Sequence, residues 1–322
     1  MTGLGWHLGR RTVRVAELSV RVATAMQMGP LLDKRAEYRR DFVDSVAPVG
    51  LRGDPDVVAA CCKSVAAAQR QLWKLRWDNH YKEVYWRLVV NGLATTERLH
   101  MQDCGCVCGP VVGGPPGRHH HFWECSVAQA VVMQLQHQIT GWYPGALQPQ
   151  HVLCMLCPGA GVPGARPLHE GVWRVVCLSA INAMDVGRSA AAKARVEQRE
   201  QAALDAARQQ LPAVPMDQQL ITQLLQPATL TDSQRQHHEQ VQQRRQAQAQ
   251  LVQQQRQQLA AAKLEALKRQ AVARFWELLQ DFVVLRVAPA SWLTQLAPDH
   301  PFLRVHGDRL AAHCVPPSLP GG

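Results

Sequence analysis

Aromatic residues are scarce in this chain, at 6% of the composition. No apolar run reaches the ~18–20 residues that a membrane-spanning helix needs, so no membrane partner is expected. Few aromatics, 22 glycines, 20 prolines and a long glutamine-rich tract together argue against one compact globule. The opening residues, MTGLGWHLGRRTVRVAELSVRVATAMQMG, lack the uninterrupted apolar stretch of a secretory signal. They are arginine-rich and acid-poor, as transit peptides are, but poor in serine. Without a secretory signal the ten cysteines read as thiols or metal ligands rather than disulfides. The expected location is intracellular, in the nucleus or cytoplasm.

The net charge is +10, which permits contact with nucleic acid or another anionic surface. No single basic arm carries it. Residues 1–60 hold 9 basic and 7 acidic side chains, 61–187 hold 10 and 7, and 188–288 hold 14 and 9.

Periodicity divides the chain into four regions, and the expected class is mainly α. Residues 1–80 read as an N-terminal helical region, with an amphipathic helix over 10–28 (Val13, Leu18, Val22, Met26) ended by Gly29-Pro30. Further helices are expected around LLDKRAEYRRDFVDSV and from Asp56 to about Trp77, where Cys61 and Cys62 read as small buried residues. In residues 81–187, two helical pieces bracket a Gly/Pro-rich loop with no regular structure of its own. After them, HVLCMLC reads as a short strand or buried turn and GVWRVVCLSAINAM as a buried helix. Residues 188–288 are Gln/Ala-rich. They predict a strong helix up to Pro212, a short one at MDQQLITQLLQ, a capping box with Thr231 as N-cap, and one long helix over Ser233–Leu285. Its apolar positions (Val241, Leu251, Val252, Leu259, Leu264, Leu267) are sparse, so a weak coiled coil with self-association and a solvated single helix both fit. Only ARFWELLQDFVVL is dense enough to dock firmly. Residues 289–322 form a proline-punctuated tail.

The chemistry is concentrated in CGCVCGPVVGGPPGRHHHFWEC, Cys104 to Cys125. Zinc takes four N or S ligands at tetrahedral corners, and closely spaced pairs let each chain segment supply two. Two sets satisfy that spacing. One is Cys104-x3-Cys108 with His121-x3-Cys125; the other is Cys106-x-Cys108 with His120-x4-Cys125. Both share Cys108 and Cys125, and spacing does not choose between them. A catalytic zinc keeps an open position and a nearby general base. Glu124 is adjacent, but the His-x-Glu and Pro-Cys-x-x-Cys pair of the zinc deaminases is absent, which favours a structural ion. A second candidate is His151, Cys154 and Cys157, with His169 further on. Cys177 and Cys314 read as packing residues.

The stretch WRLVVNGLATTERLHMQDCGCVCG…HHHFWECSVAQAVVMQL resembles the zinc-binding domain found downstream of the reverse transcriptase in non-LTR (LINE-type) retroelements. Trp86, Gly92, Thr95, Leu99, Cys106, Cys108, Gly109, His120, Phe122, Trp123, Cys125, Ala128 and Val131 carry the likeness over about residues 86–135. The resemblance implies the second ligand set, Cys106, Cys108, His120 and Cys125, with Cys104 and His121 as alternates. It also implies RNA or DNA as partner, with Arg87, Arg98 and Arg118 placed to meet phosphates. Two departures stand out: the extra Cys104, and the gap PVVGGPPGR in place of the usual acidic approach to the histidine. No Tyr/Phe-x-Asp-Asp polymerase motif and no endonuclease carboxylate set are present, so no enzymatic activity is expected. The chain thus resembles the back end of a retroelement polyprotein standing alone. The alternatives are a helical scaffold that oligomerises through 188–288 and a remnant without selected function.

Overall fold

A computed structural model describes residues 5–8, 11–14, 34–46, 54–101, 105–159, 162–166, 168–210, 232–284, 291–307 and 309–313. In chain order the elements are β1 (Gly5–Leu8), β2 (Arg11–Arg14), α1 (34–46), α2 (Pro55–Leu72), α3 (Asn79–Val89), a π-helical turn (His120–Glu124) and α4 (Ser126–Ile139). Then come the single turn α5 (Pro149–Val152), α6 (Glu170–Gln210), α7 (Asp232–Val284), the single turn α8 (Trp292–Gln295), β3 (Leu303–His306) and β4 (Arg309–Ala312). The chain is mainly helical, and its strands among the described residues form two two-stranded antiparallel hairpins.

Local chemistry sets the helix starts. The carboxylate of Asp54 accepts from the N–H groups of Asp56 (3.0 Å) and Val57 (3.3 Å), and Pro55 opens α2 with its φ already helical. Asp78 does the same for α3, accepting from His80 N–H at 2.8 Å. His169 starts α6, its Nδ1 taking the N–H of Val172 at 3.3 Å.

The core lies where α6 packs against α3, α4 and the C-terminal end of α7. On α7 the buried positions are Ala271, Phe275, Leu278, Leu279, Phe282 and Val283, a stripe at three- and four-residue steps. The dense ARFWELLQDFVVL segment therefore docks as its composition suggests. Leu264 and Leu267 pack at the margin of the core, and further from it this 53-residue helix, about 80 Å long in all, has Leu251, Val252 and Leu259 exposed. Gly187 lets α6 come close to α4, since a Cβ there would lie 3.1 Å from Val127 Cβ. The tail closes over the far end. Arg166 stacks on Trp142, its guanidinium 3.9 Å from the ring, and makes a two-pronged ion pair with Asp299. The N–H of Ala312 in β4 meets Gln280 on α7 at 2.8 Å.

Several expectations are corrected. The helix expected over 10–28 is a β-hairpin as far as residue 14, with Gly5 opposite Arg14, and its remainder lies outside the described residues. Of the two forms expected for HVLCMLC the strand is not formed; the segment is a buried turn, the end of α5 and the bend after it. The expected boundary at 187/188 falls inside α6, which runs on for 41 residues without a break. One connected set of buried side chains also extends from Phe42 to Leu303, so scarcity of aromatics did not prevent a shared core. MDQQLITQLLQ, Thr231 and Cys314 lie outside the described residues.

Two buried histidines couple this fold to pH. Burial lowers both His151 and His300 to about 4, and for His300 nearby His169 adds to the effect. His151 Nδ1 accepts the N–H of Gln148 (2.9 Å), and His300 Nδ1 accepts that of Phe302 (3.3 Å), so each must stay neutral to hold its bond. In the unfolded chain they protonate near the ordinary histidine value of about 6.5. The unfolded state therefore binds more protons between these limits. Stability is greatest above pH 6.5, falls as the pH drops towards 4, and levels off below that. Each histidine contributes a loss on the order of 3 kcal/mol across the window. Urea unfolding at pH 7 and 4.5 should show the decline, and His300→Asn, which keeps an acceptor but cannot titrate, should make it shallower. An unchanged slope in that variant refutes the assignment.

Candidate metal centre

The Cys/His segment gains its shape from a few backbone bonds. Cys106 N–H donates to Gly109 O (3.1 Å) and Gly109 N–H donates back to Cys106 O (3.0 Å). This tight turn carries Cys106 and Cys108 on one side. Gly109 closes it at φ +116°, a conformation that side chains rarely adopt. The chain returns through the π-helical turn, where Cys125 N–H reaches back five residues to His120 O at 2.7 Å. Cys125 then caps α4, its carbonyl accepting from Gln129 N–H at 2.8 Å.

These two turns bring four donor atoms together. Those of Cys106, Cys108, His120 and Cys125 all lie within 4.8 Å of one another. Cys106 Sγ and Cys125 Sγ are 3.5 Å apart, and Cys108 Sγ is 3.4 Å from His120 Nε2. Bonds of ~2.0–2.3 Å to a tetrahedral ion place ligands roughly 3.3–3.8 Å apart, so the group can hold one metal ion. Among the described residues no other such group forms.

The surroundings favour thiolate at Cys125. Cys125 is pushed down to about 4, first by the Cys106 thiol that donates to it, then by His120 and by the N–H groups of Val127 and Ala128. Cys106, as the donor, is held well up, with burial adding to the effect. Burial raises Cys108, while the Ser126 N–H opposes the rise. The first turn of α4 thus aims its unpaired N–H groups and the positive end of its dipole at sulfur. On the other side Glu124 lies 3.5 Å from His120 Nδ1, which leaves Nε2 facing the sulfurs. Such a carboxylate fixes the orientation and basicity of a ligating imidazole. Glu124 also lies 3.5 Å from His119 Nε2. Its role was not read from the sequence, although a glutamate four residues after a ligand histidine, on one helical face, was the available signal.

His121, the alternate histidine, is buried beside the group. Its Nδ1 is 3.9 Å from Cys106 Sγ, and burial, then His120, lowers it to about 4. It is not among the four grouped donors. Cys104 lies outside the described residues. At the second candidate site the side chains are engaged elsewhere. His151 Nδ1 takes the Gln148 N–H, Cys154 is buried against Cys61, Cys157 Sγ donates to Leu168 O at 3.5 Å, and His169 caps α6.

The three arginines divide. Arg87 is exposed and paired with Glu83 at 2.8 Å. Arg98 is exposed and reaches Gly92 O at 3.2 Å. Arg118 is buried, so the expectation that it meets phosphates is corrected. It donates to Leu88 O and Val89 O at the end of α3 (both 3.4 Å) and to Asp41 O (2.9 Å), and it lies against the Phe42 ring. A guanidinium satisfies all three carbonyls because its donors fan out in one plane.

Comparison with family models, with curated proteins and with solved structures gave no match.

Arg118→Ala strands three carbonyls and should cost about 3 kcal/mol in urea unfolding. Arg118→Lys should recover only part, since an ammonium cannot span the three acceptors. Full recovery by lysine would show that charge alone matters there.

Proposed function

We propose that Cys106, Cys108, His120 and Cys125 hold one structural zinc ion, in a non-enzymatic, retroelement-derived module that binds RNA or DNA. The observation that carries the metal reading is the meeting of these four donors within 4.8 Å. Three thiols and one imidazole are a soft set suited to zinc. The set is closed, with Cys125 and His120 buried, so the protein fills all four positions and none remains for a substrate. When bound, the ion cross-links the turn at Cys106–Gly109 to the start of α4. The nucleic-acid reading is supported by the resemblance over residues 86–135, by the net charge of +10, and by exposed Arg87 and Arg98.

Metal analysis of the purified protein should find one zinc per chain. Cys108→Ser and Cys125→Ser should each remove it and loosen the fold by circular dichroism. His120→Ala should do the same, and His121→Ala should retain the ion. A metal-free protein of unchanged fold overturns the structural role. Affinity for single-stranded RNA should fall steeply with salt; a flat response, or no binding at low salt, overturns the nucleic-acid part.

A second reading, self-association through 188–288, is favoured by five apolar side chains exposed on the free arms of α6 and α7: Val196, Leu204, Leu251, Val252 and Leu259. Sedimentation of the whole protein should then show a mass above one chain that Leu251→Glu/Leu259→Glu returns to monomer. A monomer at all concentrations excludes it.

A further inference from the structure

The strongest unassigned surface is on α2, away from the Cys/His turns. From Val57 to Trp77 the chain holds no acidic residue and four basic ones, Lys63, Arg70, Lys74 and Arg76. All four are exposed, and among the described residues none makes an ion pair or a side-chain hydrogen bond. With 3.6 residues per turn, Lys63 and Arg70 fall within about 20° of one another around the α2 axis, about 10 Å apart along it. Lys74 and Arg76 follow in the turn and bend after the C-cap, Trp73. Trp73 is 50% exposed, although Leu72 and Trp77, its near neighbours in sequence, are buried.

The fold accounts for only part of this. The negative end of the helix dipole favours a cation in the last turn such as Arg70, but the effect fades within that turn and does not reach Lys63. Trp73 packs only half its surface, and an indole face left in water among cations is costly unless something covers it. A row of unneutralised cations tracks a phosphate backbone, and an exposed aromatic face accepts an unpaired base.

We infer that the C-terminal end of α2 and the turn after it are the nucleic-acid contact, with Arg70, Lys74 and Arg76 neutralising phosphates of a single strand and Trp73 stacking on one of its bases. The inference rests on the nucleic-acid reading above and assigns it a place and a strand preference. A base inside a duplex does not offer its face to Trp73, so single strands are preferred.

The probe is an oligouridylate of about 16 nucleotides, titrated into the metal-loaded full-length protein over a range of salt concentrations. Trp73→Ala should weaken binding roughly 5- to 100-fold with the salt slope unchanged. Arg70→Gln/Lys74→Gln/Arg76→Gln should reduce that slope by about 2, at ~0.7 per phosphate contact on a single strand. Arg256→Gln, on the exposed part of α7, should change neither quantity. A duplex of the same length should bind more weakly and be indifferent to Trp73→Ala. All the substitutions lie on the surface, and unchanged zinc content and circular dichroism verify folding. If the unaltered protein fails to bind, the nucleic-acid reading falls and this inference with it. If it binds but the α2 variants match it while Arg87→Gln/Arg98→Gln weakens it, the reading stands and the inference is overturned. Equal loss of binding to phosphatidylserine vesicles, with oligouridylate binding unchanged, also overturns it.

Discussion

Burial of Phe275, Leu278, Leu279 and Phe282 against α4 and α6 is the constraint on which the remaining architecture depends. Fully burying each such side chain contributes about 1.5–3 kcal/mol. Through Phe282 the same cluster reaches Trp77, edge to face at 5.3 Å, and Trp77 in turn meets Tyr81 at the start of α3. The end of the longest helix thereby fixes both helices that bracket the Cys/His segment. Once α3 and α4 are placed, Arg118 ties the returning chain to the end of one, and Cys125 begins the other. The segment between has little freedom left before any ion is considered.

The site's electrostatics follow from that placement. Sulfur anions are costly to bury unless donors or cations meet them. Here the compensation at Cys125 comes first from the Cys106 thiol, then from His120 and backbone N–H groups of α4. A bound dication would supply the rest of the balance.

Much of this was legible in the sequence because it is local. The helical class, the long helix ending near residue 284, the bracketed loop and the group Cys106, Cys108, His120 and Cys125 all follow from spacing, periodicity or motif resemblance. What stayed hidden depends on distant contacts. Nothing near Arg118 in sequence shows that Asp41 and Leu88 carbonyls converge on it. His151 and Cys157 have ligand spacing, yet the fold gives them to Gln148 and Leu168 instead. The hairpin at residues 5–14 was misread because arginines between valines suit a helix face and a strand equally well. A break in composition at 187/188 was mistaken for a break in structure, whereas α6 passes from buried to solvated surroundings without changing conformation.

The π-helical turn has one further consequence. Its five-residue bond selects the residue five places before Cys125 as the one whose imidazole meets the sulfurs, and His119, His120 and His121 are consecutive. Delete one residue between His121 and Cys125, and the fifth place is still a histidine, His119; insert one there, and it is His121. The triplet thus acts as a length tolerance. The ligand position is specified by counting back from a helix start, and the sequence provides the same side chain at every count within one residue of the correct value.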